Sequence, residues 1–494
     1  MKPFVYSLQV LCLLLALGWQ SKAQGLIMDD ESYLRLPAKA PIIQKRTAGL
    51  MVLPPEVSYK AYCPQPLNQG KGYGTCMAFA LGYYLRTIME ARQHNETDPA
   101  KIKAMAFSPT YLYNEAKFPS DRDCTIGLSV DLAAKVLRER GIVPFSPLGY
   151  PACGVSTASF ESQAKQHRIA ETHRILNFDD EPDDKIAKLK NALAEGFPVV
   201  VSFFPTNSFT TLRSSLWEPS AADNELIKQR LADKKSGTAH ALCVLGYKDD
   251  PSGGAFQVVN SWGDKWGEGG FCWIRYNDLA RFTRYALQVY PSFETGATYE
   301  VNGLKASISF EQKDAGQMPV QLDATATQET GMLVYRMTQP YNFNTAFKFV
   351  VNNDRQAYLY ALGTDEHTPT IVQKLFPQVG QNATGQFIQM HSALLPPGTA
   401  VAYPPELFVE LDNVPGTDYF ILLFSNKPLQ TVQIEKELTT SNTGSLLNRL
   451  QQALKKQSIV SPSAIRHEIN RVDFSVQPNA IGSIVPVLVL IKHQ

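Results

Sequence analysis

The sequence has almost no net charge and no long apolar run beyond its N-terminus. Lys and Arg number 47 and Asp and Glu number 46, so the net charge is +1. This balance gives no electrostatic reason to expect nucleic acid or an acidic membrane as a partner. After the N-terminus no segment reaches the roughly 18 apolar residues that a membrane-spanning helix needs. We detect no internal repeat, and we expect neither a metal nor an organic cofactor.

The first 23 residues have the pattern of a secretory signal peptide. Lys2 supplies a positive charge, residues 4–19 are mostly apolar, and Ser21-Lys22-Ala23 fits a small-x-small cleavage site. A membrane anchor is the alternative, but the apolar run is short for a span and polar residues interrupt it. We therefore expect an exported protein, either periplasmic or secreted, that begins at Gln24 after cleavage.

Periodicity and turn residues divide the rest of the chain into three segments. Residues 24–50 contain charges, two prolines and little periodicity, which predicts a loose N-terminal extension. Residues 51–293 show helical patterns first and strand patterns afterwards, which predicts an α+β domain with two lobes and a cleft between them. Residues 295–494 are rich in strand patterns separated by turns, which predicts a separate β-sandwich or partial barrel with one helix at 445–456.

Start and stop signals define the main elements of the segment 51–293. A Gly follows two of the helical patterns directly, as is common at helix C-termini. The predicted helices are 76–92, 131–140 and 184–195, and the predicted strands are 198–204, 241–247, 255–260 and 270–276.

Three short stretches far apart in this segment each contain part of a possible cysteine hydrolase site. They are QGKGYGTCMAF at 69–79, GTAHALCVLGY at 237–247 and QVVNSWG at 257–263. Cys76 follows a turn and opens a helical pattern, so the positive end of the helix would favour its thiolate. Taken alone, Cys76 is better explained as a buried structural Cys, and a lone His at 240 is more often a core or edge residue than a base. Asn260 alone fits a turn after a strand.

Taken together, the three residue types can perform nucleophilic catalysis. Cys76 would attack a carbonyl carbon, and His240 as imidazolium would stabilise the thiolate, protonate the leaving amine and later activate water. Asn260 lies 20 positions after His240 (260 − 240) and would orient the imidazole without adding a buried charge. Trp262 would cover the hydrogen bond between Asn260 and the imidazole.

The order and the flanking residues of these motifs resemble the papain family of cysteine peptidases. The strongest resemblance lies in GTAHALCVLGY and in NSWG followed by WGEGGF. It implies a helical lobe beside a β-barrel-like lobe, and it makes Gln69 an oxyanion donor together with the backbone N–H of Cys76. By position it also implies a specificity pocket with small and apolar walls, formed by Leu128, Ser129, Ser202, Thr238 and Ala241.

The resemblance also bears on the six cysteines that follow the expected signal peptide. It implies a disulfide between Cys124 and Cys153. If the nucleophile is free, five cysteines remain and at least one of them must be unpaired. Cys243 and Cys272 lie in apolar strand patterns, which favours buried thiols, and Cys63 has no evident partner.

The chain departs from the family pattern around the nucleophile. Tyr73 stands where the family signature has its first Cys, so the disulfide which that Cys usually makes is missing. Gln69 and Cys76 are seven positions apart (76 − 69), one more than usual, so the loop must bulge. Cys76 and His240 are 164 positions apart (240 − 76), against about 130–150 in the family, and a polar insertion at 206–236 explains the excess. The long helical propeptide usual in the family is absent.

The sequence thus predicts an exported cysteine peptidase that acts on a peptide or protein substrate. Two alternatives stay open: a catalytically silent peptide- or surface-binding protein, and an acyltransferase with the same Cys–His chemistry. Residues 295–494 weakly resemble bacterial β-rich modules of unknown function, at 375–377 and 415–423. Such a module would either bind a ligand or act as a spacer, and its partner is unknown.

Overall fold

The computed structural model describes residues 25–40, 53–232, 237–251, 253–292, 303–368, 371–381, 387–404, 408–440, 444–455 and 457–494. The expected signal peptide and the expected domain boundary at 293–295 lie outside these ranges. Contacts divide the chain into two units, one of Met1–Leu36, Pro54–Ile169 and Arg174–Val289, the other of Pro37–Leu53, Ala170–His173 and Tyr290–Gln494. The sequence pattern did not predict that Ala170–His173 would group with the second unit. In the described ranges no helix is long and apolar enough to cross a membrane.

The first unit contains most of the helices. Its α-helices are Asp30–Leu34, Thr87–Gln93, Pro99–Met105, Pro109–Ala116, Val130–Glu139, Glu161–Ala164, Pro182–Ala194, Asn207–Thr210, Ala221–Ala232 and Tyr276–Phe282. A π-helix, Ala78–Arg86, precedes Thr87–Gln93, and short 3-10 helices are Lys60–Tyr62, Ala158–Phe160 and Lys165–His167.

Local sequence signals explain where the longer helices begin and end. Val130–Glu139 buries one face, formed by Val130, Ala133, Ala134 and Leu137 at the helical spacing. The chain then leaves the helix through a Gly in the left-handed region, Gly141, with φ +86°. Pro182–Ala194 has Pro at its first position and is followed by Gly196 with φ +107°. These two helices confirm the predicted ones to within two residues.

The strands β1 to β9 form one nine-stranded sheet among the described residues, and β6 is its organising strand. The order along the sheet is β3-β9-β4-β6-β7-β8-β5, and β1 and β2 pair with β6 as well. The strands are Leu26–Met28, Glu56–Ser58, Ile169–Arg174, Val199–Phe203, Leu216–Trp217, Gly237–Lys248, Ala255–Val259, Phe271–Arg275 and Thr283–Pro291. Long β6 therefore meets four partners, and it carries His240 near its start.

The second unit is dominated by strands β10 to β25. They are Lys305–Gln312, Gly316–Gln317, Val320–Leu322, Leu333–Met337, Ala346–Asn353, Ala357–Asp365, Gln373–Phe376, Val379–Gln381, Phe387–Gln389, Leu394–Leu395, Thr399–Tyr403, Val409–Glu410, Gly416–Ser425, Ile465–His467, Val472–Val476 and Ile484–His493. The helices are Ala324–Thr330, Thr431–Thr440 and Leu446–Leu454, with a 3-10 turn at Pro462–Ala464.

Two seven-stranded sheets of the second unit pack face to face around one hydrophobic core. One sheet has the order β20-β14-β10-β24-β23, with β11 paired to β10 and β21 paired to β14. The other has the order β12-β13-β25-β22-β15-β16, with β19 paired to β15. Phe310 of the first sheet meets Phe420 of the second at 6.0 Å between ring centroids, and Phe474 meets Phe424 at 5.1 Å. The alternating burial of β10 matches a strand with one face in such a core. The predicted fold class, α+β followed by a β-sandwich, is confirmed.

Candidate active site

Cys76 lies at the first turn of a long buried helix, where the sequence pattern predicted it. The first helical hydrogen bond runs from the N–H of Phe79 to the carbonyl of Thr75, at 3.1 Å. The preceding Gly74 is packed so closely that a Cβ there would lie 2.7 Å from the backbone nitrogen of Gly127. Although burial raises the thiol pKa, hydrogen bonds from the backbone of Cys76 and Met77 act to lower it. A helix N-terminus therefore faces the sulfur, which favours a thiolate when one forms.

His240 and Asn260 are brought together by two neighbouring strands. His240 lies near the start of β6 and Asn260 directly follows β7, and their side chains meet at 2.6 Å between Nε2 and Oδ1. Because the amide oxygen is an acceptor, this contact assigns the imidazole proton to Nε2. The other ring nitrogen, Nδ1, is buried and has no hydrogen-bond partner in the described ranges. Nδ1 is thus the nitrogen that is left to accept a proton.

Trp262 covers this pair, as the sequence predicted. Its ring stacks on the imidazole of His240 at 4.5 Å between centroids with an angle of 30°. The rings of Phe209 and Trp266 also pack on Trp262, each at 5.7 Å between centroids. The indole N–H of Trp266 donates to the carbonyl of Phe209 at 2.7 Å. Aromatic rings therefore exclude water from the hydrogen bond between His240 and Asn260.

Gln69 is fixed at its backbone and at its side chain. Its N–H donates to the carbonyl of Ser261 at 2.8 Å, and its Oε1 accepts from the hydroxyl of Ser261 at 2.5 Å. Its amide nitrogen donates one hydrogen to the carbonyl of Tyr73 at 2.8 Å. A side-chain amide has two such hydrogens, so the second is left for another acceptor. The bulge that the spacing required is taken up by Gly70 and Gly72, with φ +82° and +90°.

The N-terminal segment, which the sequence pattern predicts to be loose, instead lies over this site. Leu26, Ile27 and Met28 form β1 and pair antiparallel with Ala239, Thr238 and Gly237 of β6. On the opposite side the N–H of Ile27 donates to the carbonyl of Leu128 at 3.0 Å, and the N–H of Leu128 donates to the carbonyl of Gly25 at 2.8 Å. The segment thus bridges two separate stretches of the first unit, as a bound peptide would.

Burial at the site agrees with this covered arrangement. Cys76 and His240 are both 0% exposed, and Leu26 is 1% exposed. The backbone of Leu26 hydrogen-bonds to the sulfur of Cys76, as does that of Ala241, the residue after His240. A second peptide cannot occupy the place of β1 while residues 25–28 hold it. Residues 25–36 therefore form a covering segment.

Two acidic side chains fasten the covering segment to the rest of the unit. Asp30 accepts two hydrogen bonds from the guanidinium of Arg284, at 3.0 and 2.5 Å, and one from the hydroxyl of Tyr285 at 2.7 Å. Asp131 accepts from the hydroxyl of Ser32 at 2.5 Å and from Arg35 at 2.6 Å. The helix Asp30–Leu34 between them begins at the N-cap Asp29. An Asp followed by two acidic residues is a helix start signal that could have been used to predict this helix.

Burial controls the protonation of the candidate catalytic pair. Burial raises the pKa of the Cys76 thiol to about 12, against the lowering effect of the surrounding backbone N–H groups. Burial likewise lowers the pKa of His240 to about 4, although the hydrogen bond to Asn260 works in the opposite direction. Both shifts favour a neutral thiol beside a neutral imidazole while the covering segment is in place.

The residues expected to form a specificity pocket have different environments. Leu128 contacts the covering segment through its backbone, and the hydroxyl of Ser129 hydrogen-bonds to that of Ser32. Ser202 is turned to the backbone of β9, where its oxygen accepts from the N–H of Tyr285 at 2.8 Å. Ala241 is buried and pairs with Ser202, whereas the side chain of Thr238 lies outside the described set. Their role in substrate recognition stays a prediction.

Sequence reasoning missed one supporting residue within the site and correctly anticipated one disulfide. Tyr84 of the π-helix donates its hydroxyl to the backbone carbonyl of Asn260 at 2.9 Å. Nothing in the local pattern distinguishes this Tyr from a core aromatic residue. Cys124 and Cys153 form the expected disulfide, and among the described residues Cys63, Cys76, Cys243 and Cys272 take part in no disulfide. No group of three or more His, Cys, Asp or Glu in the described ranges has the arrangement of a metal site.

Comparison with known proteins identifies the family of this region. Residues 61–290 match the family model of the papain family cysteine proteases. This region belongs to the papain family. An uncharacterized peptidase C1-like protein, L477, of Acanthamoeba polyphaga mimivirus is 26% identical over 226 residues, which are 43% of this chain and 65% of the viral protein. Ananain of Ananas comosus is 36% identical over 66 residues, 13% of this chain and 19% of ananain. The chain therefore spans less than two thirds of either relative.

Solved structures also align with about half of this chain. Xylellain, a cysteine protease from Xylella fastidiosa, aligns with 56% of this chain and 98% of its own, at 23% identity and a TM-score of 0.41. Digestive procathepsin L 3 of the Tenebrio molitor larval midgut aligns with 52% of this chain and 77% of its own, at 18% identity and a TM-score of 0.39.

Proposed function

We propose that the chain is an exported cysteine peptidase that hydrolyses peptide bonds. Cys76 is the nucleophile, His240 the base and later the acid, Asn260 the residue that orients His240, and Gln69 an oxyanion donor. The observation that carries the proposal is the hydrogen bond between His240 Nε2 and Asn260 Oδ1, at 2.6 Å beneath Trp262. This bond leaves Nδ1 of His240 to accept a proton. The backbone of Ala241, the residue after His240 in β6, contacts the sulfur of Cys76.

The reaction follows from these groups. Nδ1 of His240 takes the proton of the Cys76 thiol, and the sulfur adds to the carbonyl carbon of the scissile bond. The negative charge on the oxygen is received by the N–H of Cys76 and the side-chain amide of Gln69; one such donor lowers the barrier by about 3 kcal/mol. The imidazolium then protonates the leaving amine, and the neutral imidazole activates the water that hydrolyses the thioester.

Export is supported by the cysteines. The Cys124–Cys153 disulfide suits an oxidising compartment, because cytosolic thiols are kept reduced. The expected signal peptide at 1–23 adds to this argument. The substrate is proposed to be a peptide or protein, since the place that β1 occupies accepts an extended backbone on both sides.

Catalysis requires the covering segment to leave, because β1 fills the place where a substrate backbone would pair with β6. A substitution at Gly25 should displace the covering segment. A Cβ there would lie 2.1 Å from the carbonyl oxygen of Gly74, and φ is +93°. Gly25→Ala should therefore yield an uncovered form of the full chain for assay.

The test is peptide hydrolysis and thiol labelling by the mature chain and by Gly25→Ala. Cys76→Ala should abolish hydrolysis, whereas Cys243→Ala, which removes another buried free thiol from β6, should retain it. Iodoacetamide near pH 6 should label Cys76 in preference to Cys63, Cys243 and Cys272 once the site is uncovered. Hydrolysis that survives in Cys76→Ala would refute the assignment. No turnover in any form would favour the silent binding protein, and products joined to an added amine would favour the acyltransferase.

A further inference from the structure

The loop 69–75 joins two proposed catalytic groups, yet its middle has little support of its own. Lys71 and Gly72 are exposed, and a Cβ at Gly72 would meet no atom within 4 Å. Gly70 and Gly72 have positive φ, and the backbone at a glycine has more conformations open to it than at other residues. The position of the Gln69 amide relative to Cys76 must therefore be set by contacts at the ends of the loop.

Tyr150 connects these two ends through one hydroxyl group. It donates its proton to the backbone carbonyl of Gln69, and its oxygen lies 2.8 Å from the hydroxyl of Thr75. Because a phenol has a single proton, the Thr75 hydroxyl is the donor in the second bond. The hydrogen bonds thus run from Thr75 through Tyr150 to Gln69, that is, from the residue before the nucleophile to the proposed oxyanion donor.

The ring of Tyr150 is itself held in place. It meets the ring of Phe79 edge-on at 4.7 Å and 80°, and Phe79 is a buried residue of the nucleophile helix. The ring of Tyr73, inside the loop, lies 6.2 Å away at 70°. Burial raises the pKa of Tyr150 to about 12, so its hydroxyl keeps its proton throughout the neutral range. The brace that Tyr150 forms therefore rests on the helix that carries Cys76.

Gln69 is supported from the other side by Ser261, which binds its N–H and its Oε1. Ser261 and Tyr150 thus hold opposite ends of the same residue. If the Tyr150 hydroxyl is removed, the carbonyl of Gln69 is released while the Ser261 contacts stay. A shift of a few tenths of an ångström would follow at the amide nitrogen, and oxyanion donors act only within a narrow range of distances.

We propose that Tyr150 is a positioning residue that holds the Gln69 amide in place for the oxyanion. This inference rests on the proposed function, since it gives Gln69 its role there. Loss of a whole oxyanion donor costs about 10²–10³ in kcat, so loss of its support should cost a part of that, about tenfold.

The test is Tyr150→Phe, which keeps the ring contacts and removes only the hydroxyl. It is measured in the hydrolysing form of the chain, with Tyr247→Phe as the matched control. Tyr247 likewise donates a buried hydroxyl to a backbone carbonyl, that of Pro54 at 2.7 Å, at the other end of β6. We expect kcat to fall about tenfold with little change in KM in Tyr150→Phe, and no fall in the control. The alkylation rate of Cys76 by iodoacetamide should not change, because alkylation forms no oxyanion.

A second comparison separates positioning from a general structural effect. In a Gln69→Ala background, Tyr150→Phe should cause little further loss, because the group that it positions is already gone. Hydrogen exchange of the peptide 69–75, followed by mass spectrometry, should become faster in Tyr150→Phe and not in Tyr247→Phe. Equal losses with and without Gln69, or unchanged kcat and exchange, would overturn the proposal. If no form hydrolyses peptide, the proposed function fails. Unchanged hydrogen exchange of residues 69–75 in Tyr150→Phe would still overturn the inference that Tyr150 holds this loop in place.

Discussion

Gly25→Ala should convert a covered active site into an accessible one. Gly25 has φ +93°, a region that costs an L-residue roughly 1–2 kcal/mol. Its new Cβ would also lie 2.1 Å from the carbonyl oxygen of Gly74, and the carbonyl carbon and Cα of Gly74 are within 2.4 Å. Those atoms are backbone, so they cannot turn aside. The first residue of the covering segment must therefore move away from the loop.

The expected size of the effect follows from the contacts that this movement breaks. The hydrogen bonds between Gly25 and Leu128 and between Ile27 and Leu128, at 2.8 and 3.0 Å, are both lost. Each contributes about 1 kcal/mol. With the backbone strain, the covered state should lose about 3–4 kcal/mol relative to the uncovered one. Since 1.4 kcal/mol is a factor of ten, the uncovered population should rise by about 10²–10³.

The assay is the second-order rate of iodoacetamide labelling at Cys76, followed by mass spectrometry, together with peptide hydrolysis. Gly253→Ala is the matched control: Gly253 has φ +106°, but a Cβ there would meet no atom within 4 Å. The control should lower stability slightly and leave the labelling rate unchanged. A Gly25→Ala chain that labels no faster than the wild type would refute the claim that the covering segment limits access.

Three further predictions concern the covering segment and the proposed catalytic pair. Although burial opposes it, the hydrogen bonds of Arg284 and Tyr285 hold the pKa of Asp30 below its usual value, and those of Ser129, Ser32 and Arg35 do the same for Asp131. The stabilisation from both carboxylates is then complete above the usual Asp pKa near 4 and is lost only as the pH falls below it. Labelling of Cys76 should therefore show no release of the covering segment between pH 7 and pH 5. Asp30→Asn should speed labelling at pH 7 by less than tenfold, because an exposed ion pair such as that of Asp30 with Arg284 contributes about 1 kcal/mol or less. Asn260→Ala should lower kcat by about 10–100-fold, because it removes the hydrogen-bond partner of His240 Nε2. That hydrogen bond contributes on the order of 1–3 kcal/mol. A kcat equal to that of the wild type would count against the orienting role of Asn260.

The motifs of the candidate site could be found from the sequence because each depends on local constraints. A turn at 71–72 precedes the helix of Cys76, and Gly74 is packed so closely on Gly127 that a side chain would not fit. His240 and Asn260 lie near the ends of neighbouring strands, and strands β6 and β7 are antiparallel neighbours along the chain. Their proximity therefore follows from a short connection between the two strands.

The covering segment could not be predicted in the same way. Its strand has only three residues, and Leu26 pairs with Ala239, which is 213 positions away (239 − 26). Three residues show no periodicity, and pairing over such a separation is not visible in local sequence. The pattern of this stretch therefore indicates a loose extension, although the Asp29 cap is visible in it.

The insertion at 206–236 shows a second limit of sequence reasoning. Its composition is polar, but the structure folds it around Phe209 and the buried Trp217, whose indole N–H donates to Ser208 at 2.9 Å. Phe209 then packs on Trp262, the residue over the hydrogen bond between His240 and Asn260. A polar insertion thus supports the site, because the packing of its two buried aromatic side chains, and not its overall polar composition, determines where it folds.

Access to the candidate site and the protonation of Cys76, its proposed nucleophile, are coupled through burial. Burial raises the pKa of Cys76 to about 12 and lowers that of His240 to about 4, so the covered pair is neutral. Both shifts have the same cause, and both must shrink when β1 leaves and water reaches the sulfur. The thiol pKa then falls while the imidazole pKa rises, and the helix N-terminus at Cys76 acts in the same direction. Removal of the covering segment should therefore increase the thiolate fraction as well as the accessibility of Cys76, so the labelling rate should rise by more than the uncovered population alone would give.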